Sequence, residues 1–300
     1  MKINRLDEFH KIIFLVISSI VLLANFLFTN LLTYEIQIYI LFILVSIIGL
    51  PHGFFDFTIG KNIFKKITKN WFLYFSASYL SIAIIYFLLW KSIPTFSLLF
   101  FLVISALHFG YEDYNYLSRV EKRKLININI ILKGIIVVFT PILFHYEEVT
   151  SLFYILTNYH FKFYEINSFY KITYIIFLVS YIAFEKNKNF LYKFEELMYL
   201  INFIFLPPLI SFALYFCFLH SIRHFLESIF IYKYVPENFT LKSFMLTIIL
   251  TSLIFSIITV FLIERSFDIN TNETIVRYVF IMLACLTLPH MIFNMLTSSN

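Results

Sequence analysis

The chain alternates long apolar runs with short polar ones. Stretches of about 18 to 25 residues recur from end to end, each long enough to cross roughly 30 Å of hydrocarbon as a helix. Read run by run, the pattern predicts helices over 12–33, 36–57, 71–90, 94–112, 125–144, 168–185, 190–206, 208–232, 241–263 and 274–296. That gives about ten spans, with a range of eight to ten. The break at Pro207 and Pro208 contributes to that range, because one kinked segment there could replace two helices. The short apolar stretch 148–157 is expected at the membrane interface. With no long linker, low-complexity tail or heptad repeat, residues 1–300 read as a single integral-membrane domain. The expected fold class is all-α, a polytopic transmembrane helix bundle.

Composition agrees with this. Of 300 residues 60% are hydrophobic and 14% charged, and the mean hydropathy is +0.84, which no soluble domain of this length shows. The first run follows a charged segment (Lys2, Arg5, Asp7, Glu8, Lys11) and lacks a small-residue cleavage site, so it predicts a retained helix and not a signal peptide. Cys217 and Cys285 both fall inside apolar runs, which makes them packing residues and not a disulfide or a CxxC metal site. Forty Phe accompany abundant Ile, Lys, Asn and Tyr, a mixture that an AT-rich coding sequence produces by itself, so Phe richness does not point to a ligand.

The net charge of +5 changes the picture only through where the bases sit. With the N-terminus inside, one face carries Lys2, Arg5, Lys11, Lys61, Lys65, Lys66, Lys69, Arg119, Lys122, Arg123, Lys124, Lys186, Lys188, Lys193, Lys233 and Lys242. The other carries only Lys91, Lys162, Lys171, Arg265 and Arg277. This asymmetry, in step with the expected helices, is positive-inside topology with both termini cytoplasmic. It predicts a multi-pass protein of the cell membrane and gives no reason for a nucleic-acid partner.

Candidate chemistry lies in the histidines. His10, His145 and His160 fall outside the expected spans, whereas His52, His108, His220, His224 and His290 lie within four of them. Measured from their helix starts, these five differ by four residues, a depth spread of about 6 Å. Ionisable groups in a membrane interior are costly and usually face inward at functional sites, and neutral imidazole is a common ligand for iron, copper and zinc. Spaced i and i+4, His220 and His224 share one face of a regular helix. Asp56 follows His52 by four residues, Glu112 follows His108 by four, and Glu227 follows His224 by three. Each is placed to accept the ring N–H that a ligating imidazole leaves over; for Glu112 and Asp113, ending a helix at the membrane surface is an equal alternative. Arg223 points off the shared face, where it can snorkel, meet a carboxylate or do neither. Two Leu-Pro-His tripeptides, 50–52 and 288–290, are followed at matching offsets by Asp56 and Asn294.

Four blocks in order, GLPHGFFD (49–56), ALHFGYED (106–113), FLHSIRHFLES (218–228) and TLPHMIFN (287–294), resemble the Brp/Blh family of bacterial and archaeal membrane β-carotene 15,15′-dioxygenases, which make retinal. The resemblance covers most of the chain. It implies a non-haem Fe(2+) held by four histidines, which map onto His52, His108, His220 and His224, with His290 as an additional ligand or a supporting residue. It also implies that β-carotene and O₂ are the substrates, that carotenoid enters from membrane lipid, and that the retinal product links the protein to a retinal-binding rhodopsin. Asp56, Glu112, Glu227 and Asn294 are then the residues expected to support the ligands. Phe54, Phe55, Phe109, Tyr111, Tyr215 and Phe216, which neighbour the histidines, are the aromatics expected along the polyene. Phe54 departs from the family pattern, being bulky just after Gly53, and bears on pocket shape.

Rival readings are a histidine-rich transporter or metal-ion carrier, and a homologue that regulates retinal formation without catalysing it. A transporter would favour helices broken by Gly or Pro in paired halves, and the chain has five glycines. A membrane di-iron desaturase would need more histidines in HxxxH and HxxHH boxes, and a bis-histidine haem protein would be red.

Overall fold

The computed structural model describes residues 2–28, 31–116, 127–162, 165–185, 189–231, 233–234, 240–264 and 270–298, and for residues 2, 3, 52, 241, 297 and 298 it describes the backbone alone. Among the described residues there are helices and turns and no strand. The helices are α1 (Lys2–Leu27), α2 (Tyr34–Leu44), α3 (Asp56–Phe64), α4 (Trp71–Ser92), α5 (Pro94–Asn115), α6 (Ile128–Phe144), α7 (Tyr146–Thr157), α8 (Ser168–Phe184), α9 (Phe190–Phe205), α10 (Pro208–Ala213), α11 (Ile222–Phe230), α12 (Leu241–Glu264) and α13 (Thr271–Ser298). A π-helical turn (Val45–Gly49) and a 3-10 turn (Leu50–Phe55) join α2 to α3, and a π-helical stretch (Leu214–Ser221) joins α10 to α11. Several starts are written in sequence: Asn127, Asn167 and Asn189 accept a backbone N–H at the first turns of α6, α8 and α9.

Every expected segment contains a helix, but fewer of them span on their own. Among the described residues seven helical runs are long and apolar enough to cross a membrane: Asn4–Leu27, Tyr34–Phe64, Trp71–Ser92, Pro94–Asn115, Pro208–Phe230, Lys242–Glu264 and Thr271–Leu296. An eighth results if α6 and α7, bent by 104° where they meet, count as one broken span. The stretch expected at the interface is thus α7, whose Val149, Phe153 and Leu156 are buried. α8 is apolar but only 17 residues long. α9 carries Lys193, Glu195 and Glu196, and both glutamates are fully buried. It is apolar on one side only, so its charged face must meet protein, not lipid. Lysines and arginines at 119, 122–124, 186, 188 and 265, used above for orientation, lie outside the described residues.

Two glycines set the closest helix approach. A Cβ on Gly110 of α5 would sit 1.9 Å from the Ile130 carbonyl oxygen of α6, and one on Gly134 of α6 would sit 2.0 Å from the Ala106 carbonyl oxygen of α5. Only hydrogen fits at both positions, the small-residue packing through which membrane helices gain contact where lipid gives no hydrophobic drive.

Candidate active site

Irregular helix geometry delivers the histidines. Pro51 lacks an N–H, and the backbone around it opens into the π turn at Val45–Gly49 and the 3-10 turn that carries His52. Pro289 lies inside the continuous α13, one residue before His290. His220 lies in the π-helical stretch, so the even face expected for His220 and His224 is broken: the wider turn changes their phase. The loosened carbonyls find donors, with His10 Nε2 donating to Phe218 O at 2.6 Å and Ser221 Oγ donating to Phe216 O at 2.8 Å.

Four of the five membrane histidines converge. His108, His220, His224 and His290 are each at least 94% buried. Ring centroids are 5.0 Å apart for His108 and His220, 5.7 Å for His108 and His290, and 4.9 Å for His224 and His290. His220 therefore turns to α5 and His224 to α13, a division that helical spacing alone does not predict. The side chain of His52 lies outside the described residues.

The two residues at matching offsets after the Leu-Pro-His tripeptides meet on one ring. His290 Nδ1 lies 2.7 Å from Asp56 Oδ1, and Asn294 Nδ2 lies 3.0 Å from His290 Nε2. Because the carboxylate accepts, Nδ1 carries a proton that points at Asp56, while the Asn294 amide lies within 3.4 Å of both ring nitrogens. Tyr79 donates to the other oxygen of Asp56 at 2.9 Å, a partner that the sequence did not single out. Asp56 thus supports His290 from across the bundle. Glu227 is buried on α11, and Glu112 is half-buried on α5.

A buried charge cluster backs the histidine helices. Arg223, between His220 and His224, donates to Asp113 Oδ1 at 2.8 Å and also to Glu195 of α9. Asp113 Oδ2 accepts from Tyr215 at 2.7 Å and its carbonyl from Tyr192 at 2.6 Å, while the guanidinium lies 4.5 Å over the Tyr116 ring. Nearby, Lys133 pairs with Glu185 at 3.0 Å and with Glu196, and Lys11 pairs with Asp7 at 2.6 Å. Asp113 follows His108 by five residues, so one guanidinium ties the helix of His108 to that of His220 and His224. The sequence signal was a set of charges inside apolar runs, each needing a partner that spacing could not name.

Beside the cluster lies an apolar cavity of about 1030 Å³ between the 50–57 segment, α4, α12 and α13. Its inner end reaches His290 and its outer rim is set by Leu80, Ile84, Ile254 and Phe261, which are 54–57% exposed. Such exposed apolar side chains on membrane helices face acyl chains, so the cavity opens sideways to lipid. Of the six aromatics singled out in the sequence, Phe54 borders this cavity. Phe55 is fully buried against Phe225, and Tyr215 holds Asp113. Phe109 and Phe216 pack on His220 with centroids at 4.9 and 5.8 Å, and Tyr111 is half-buried on α5.

The donor set suits a metal ion by chemistry. Two imidazoles bound at about 2.0–2.1 Å to one ion have centroids roughly 4.5–5.5 Å apart, and His108 and His220 stand at 5.0 Å. Among the described residues, however, no three His, Cys, Asp or Glu groups meet at one point in a way that could hold an ion. His290 engages its Nδ1 with Asp56, and the Asn294 amide lies beside the ring.

Residues 43–296 match the family model described as beta-carotene 15,15'-dioxygenase. The chain belongs to this family. A curated relative from an uncultured marine bacterium (66A03), named beta-carotene 15,15'-dioxygenase, is 37% identical over 271 residues, covering 83% of this chain and 90% of the relative. No solved structure matches the chain. The family match spans all four histidine blocks and the helices that line the cavity, and the relative's coverage makes the likeness one of whole chains.

Proposed function

We propose that the protein cleaves β-carotene at its central 15,15′ double bond with O₂, giving two molecules of retinal. One carbon–carbon double bond and one O₂ are consumed and two carbonyl groups form, one oxygen atom on each carbon, so no further reductant is needed. The observation that carries this reading is a lipid-open apolar cavity that reaches His290, whose ring packs on those of the buried His108 and His224, in a chain of this family. At about 1030 Å³ the cavity is at the upper end of ligand pockets, as a long polyene requires.

His52, His108, His220 and His224 would hold the Fe(2+). Bound there with coordination positions left open, ferrous iron would supply the activation of O₂. The protein's own work is orientation and exclusion of water. Phe109 and Phe216 wall the His220 ring on two sides. Asp56 holds the Nδ1–H of His290, whose ring borders the cavity and packs against those of His108 and His224, with the Asn294 amide beside it. In this reading His290 is a wall and neighbour of the ligands. A substrate insoluble in water would enter between α4 and α12 directly from the bilayer of a bacterial or archaeal cell membrane. Its product would serve a retinal-binding rhodopsin.

Expression in β-carotene-producing cells tests this, scored by loss of colour, retinal by chromatography and iron content of the purified protein. Wild type is expected to bleach the cells and form retinal, and His220→Ala and His224→Ala to lose both activity and iron. Carotene left untouched by well-expressed wild type in aerated, iron-replete cells would refute cleavage and favour a regulatory homologue.

A further inference from the structure

A second cavity, of about 110 Å³, lies among α5, α6, α7, α10 and α13, and shares no lining residue with the large one. Its wall toward the histidines is Phe109, which packs on His108 and His220 at 5.7 and 4.9 Å. None of its lining residues is exposed, in contrast to the rim of the large cavity.

We propose that this small cavity is a dioxygen-binding site that feeds the histidine centre from the side opposite the carotenoid. The inference rests on the cleavage reading above. Size comes first: a carotenoid arm is several times too large, whereas an apolar cavity of about 150 Å³ is known to stay dry and take up xenon. Chemistry comes second. The lining is hydrocarbon and aromatic apart from the Ser105 hydroxyl, and a buried water needs two to four polar partners. A small apolar gas needs none.

Ser105 adds an independent observation. Ser46, Ser78, Ser97 and Ser256 each donate to the carbonyl four residues earlier in their helices, the usual escape for a hydroxyl in an apolar helix. Ser105 is 97% buried, borders the cavity, and its Oγ has no hydrogen-bond partner among the described residues. It lies three residues before His108 and four before Phe109, the wall toward the histidines. A hydroxyl held in an otherwise apolar space, able to donate weakly to O₂, fits a gas on its way to a reaction centre. Separate cavities also let both substrates be present at once, since a polyene filling the large cavity would block that route to O₂.

The test fills the cavity far from the histidines with Val138→Phe on α6 and Leu152→Phe on α7. Xenon uptake by purified protein is followed by ¹²⁹Xe NMR, and O₂ dependence by oxygen-electrode kinetics with β-carotene. Wild type should bind xenon, both variants should lose it, and the KM for O₂ should rise about threefold or more with the KM for β-carotene unchanged. Xenon should compete with O₂ and not with β-carotene in wild type, a measurement that needs no variant. An unchanged KM for O₂ in a folded variant that has lost xenon, or no uptake by wild type, overturns the site. Wild type that takes up xenon yet forms no retinal keeps the gas site and sinks the cleavage reading instead.

Discussion

Replacing Gly110 by alanine tests whether the α5–α6 contact sets the position of His108. The added methyl carbon would stand 1.9 Å from the Ile130 carbonyl oxygen and 2.9 Å from the Gly134 nitrogen. A carbon–oxygen contact closes to about 3.3 Å, so the helices must part by roughly 1.4 Å. The obstacle is backbone, which no rotamer change relieves, so the loss of stability should reach the upper end of overpacking, about 3 kcal/mol. His108 is two residues away on the same helix and must move with it, and a displacement of about 1 Å at a reaction centre lowers rate about a hundredfold. Unfolding in mixed micelles and retinal formation are the two assays. Gly110→Ala with wild-type midpoint and activity would refute the argument.

Asp113→Ala removes one carboxylate from Arg223 and the acceptor of Tyr215 while Glu195 remains, so unfolding measurements should show a loss near the lower end of the ~3–5 kcal/mol that breaking a buried ion pair costs. The Asp113→Leu, Arg223→Met, Glu195→Leu triple variant, which leaves no member of the cluster as a buried unpaired charge, should recover much of that stability without recovering activity, because packing can replace the charges but not the tie between the His108 and His220 helices. A single variant as stable as wild type would remove the clamp from the account. Ala83→Trp places an indole in the large cavity from α4, and should lower kcat/KM for β-carotene about tenfold with the unfolding midpoint kept; an unchanged KM would separate the cavity from the substrate.

Segment length and apolarity determined that the chain is helical and membrane-embedded, because the demand for internal backbone hydrogen bonds in lipid leaves few alternatives. The same local information put His108, His220, His224 and His290 at one depth, since rise per residue is fixed. Spacing failed where the helix departs from regularity: the π-helical stretch at Leu214–Ser221 sends His220 and His224 to different neighbours, and no periodicity rule contains that turn. Asp56 illustrates a second limit. Its distance in sequence suggested His52, whose side chain lies outside the described residues, and gave no hint of His290, 234 residues away, because partner choice depends on which helices pack together. Arg223, Asp113 and Glu195 could be recognised singly as charges needing company, and only the bundle paired them. The cavities belong to tertiary structure altogether, as each is the space left between four or more helices, and that space, more than any one side chain, separates a lipid-fed substrate from a small gas.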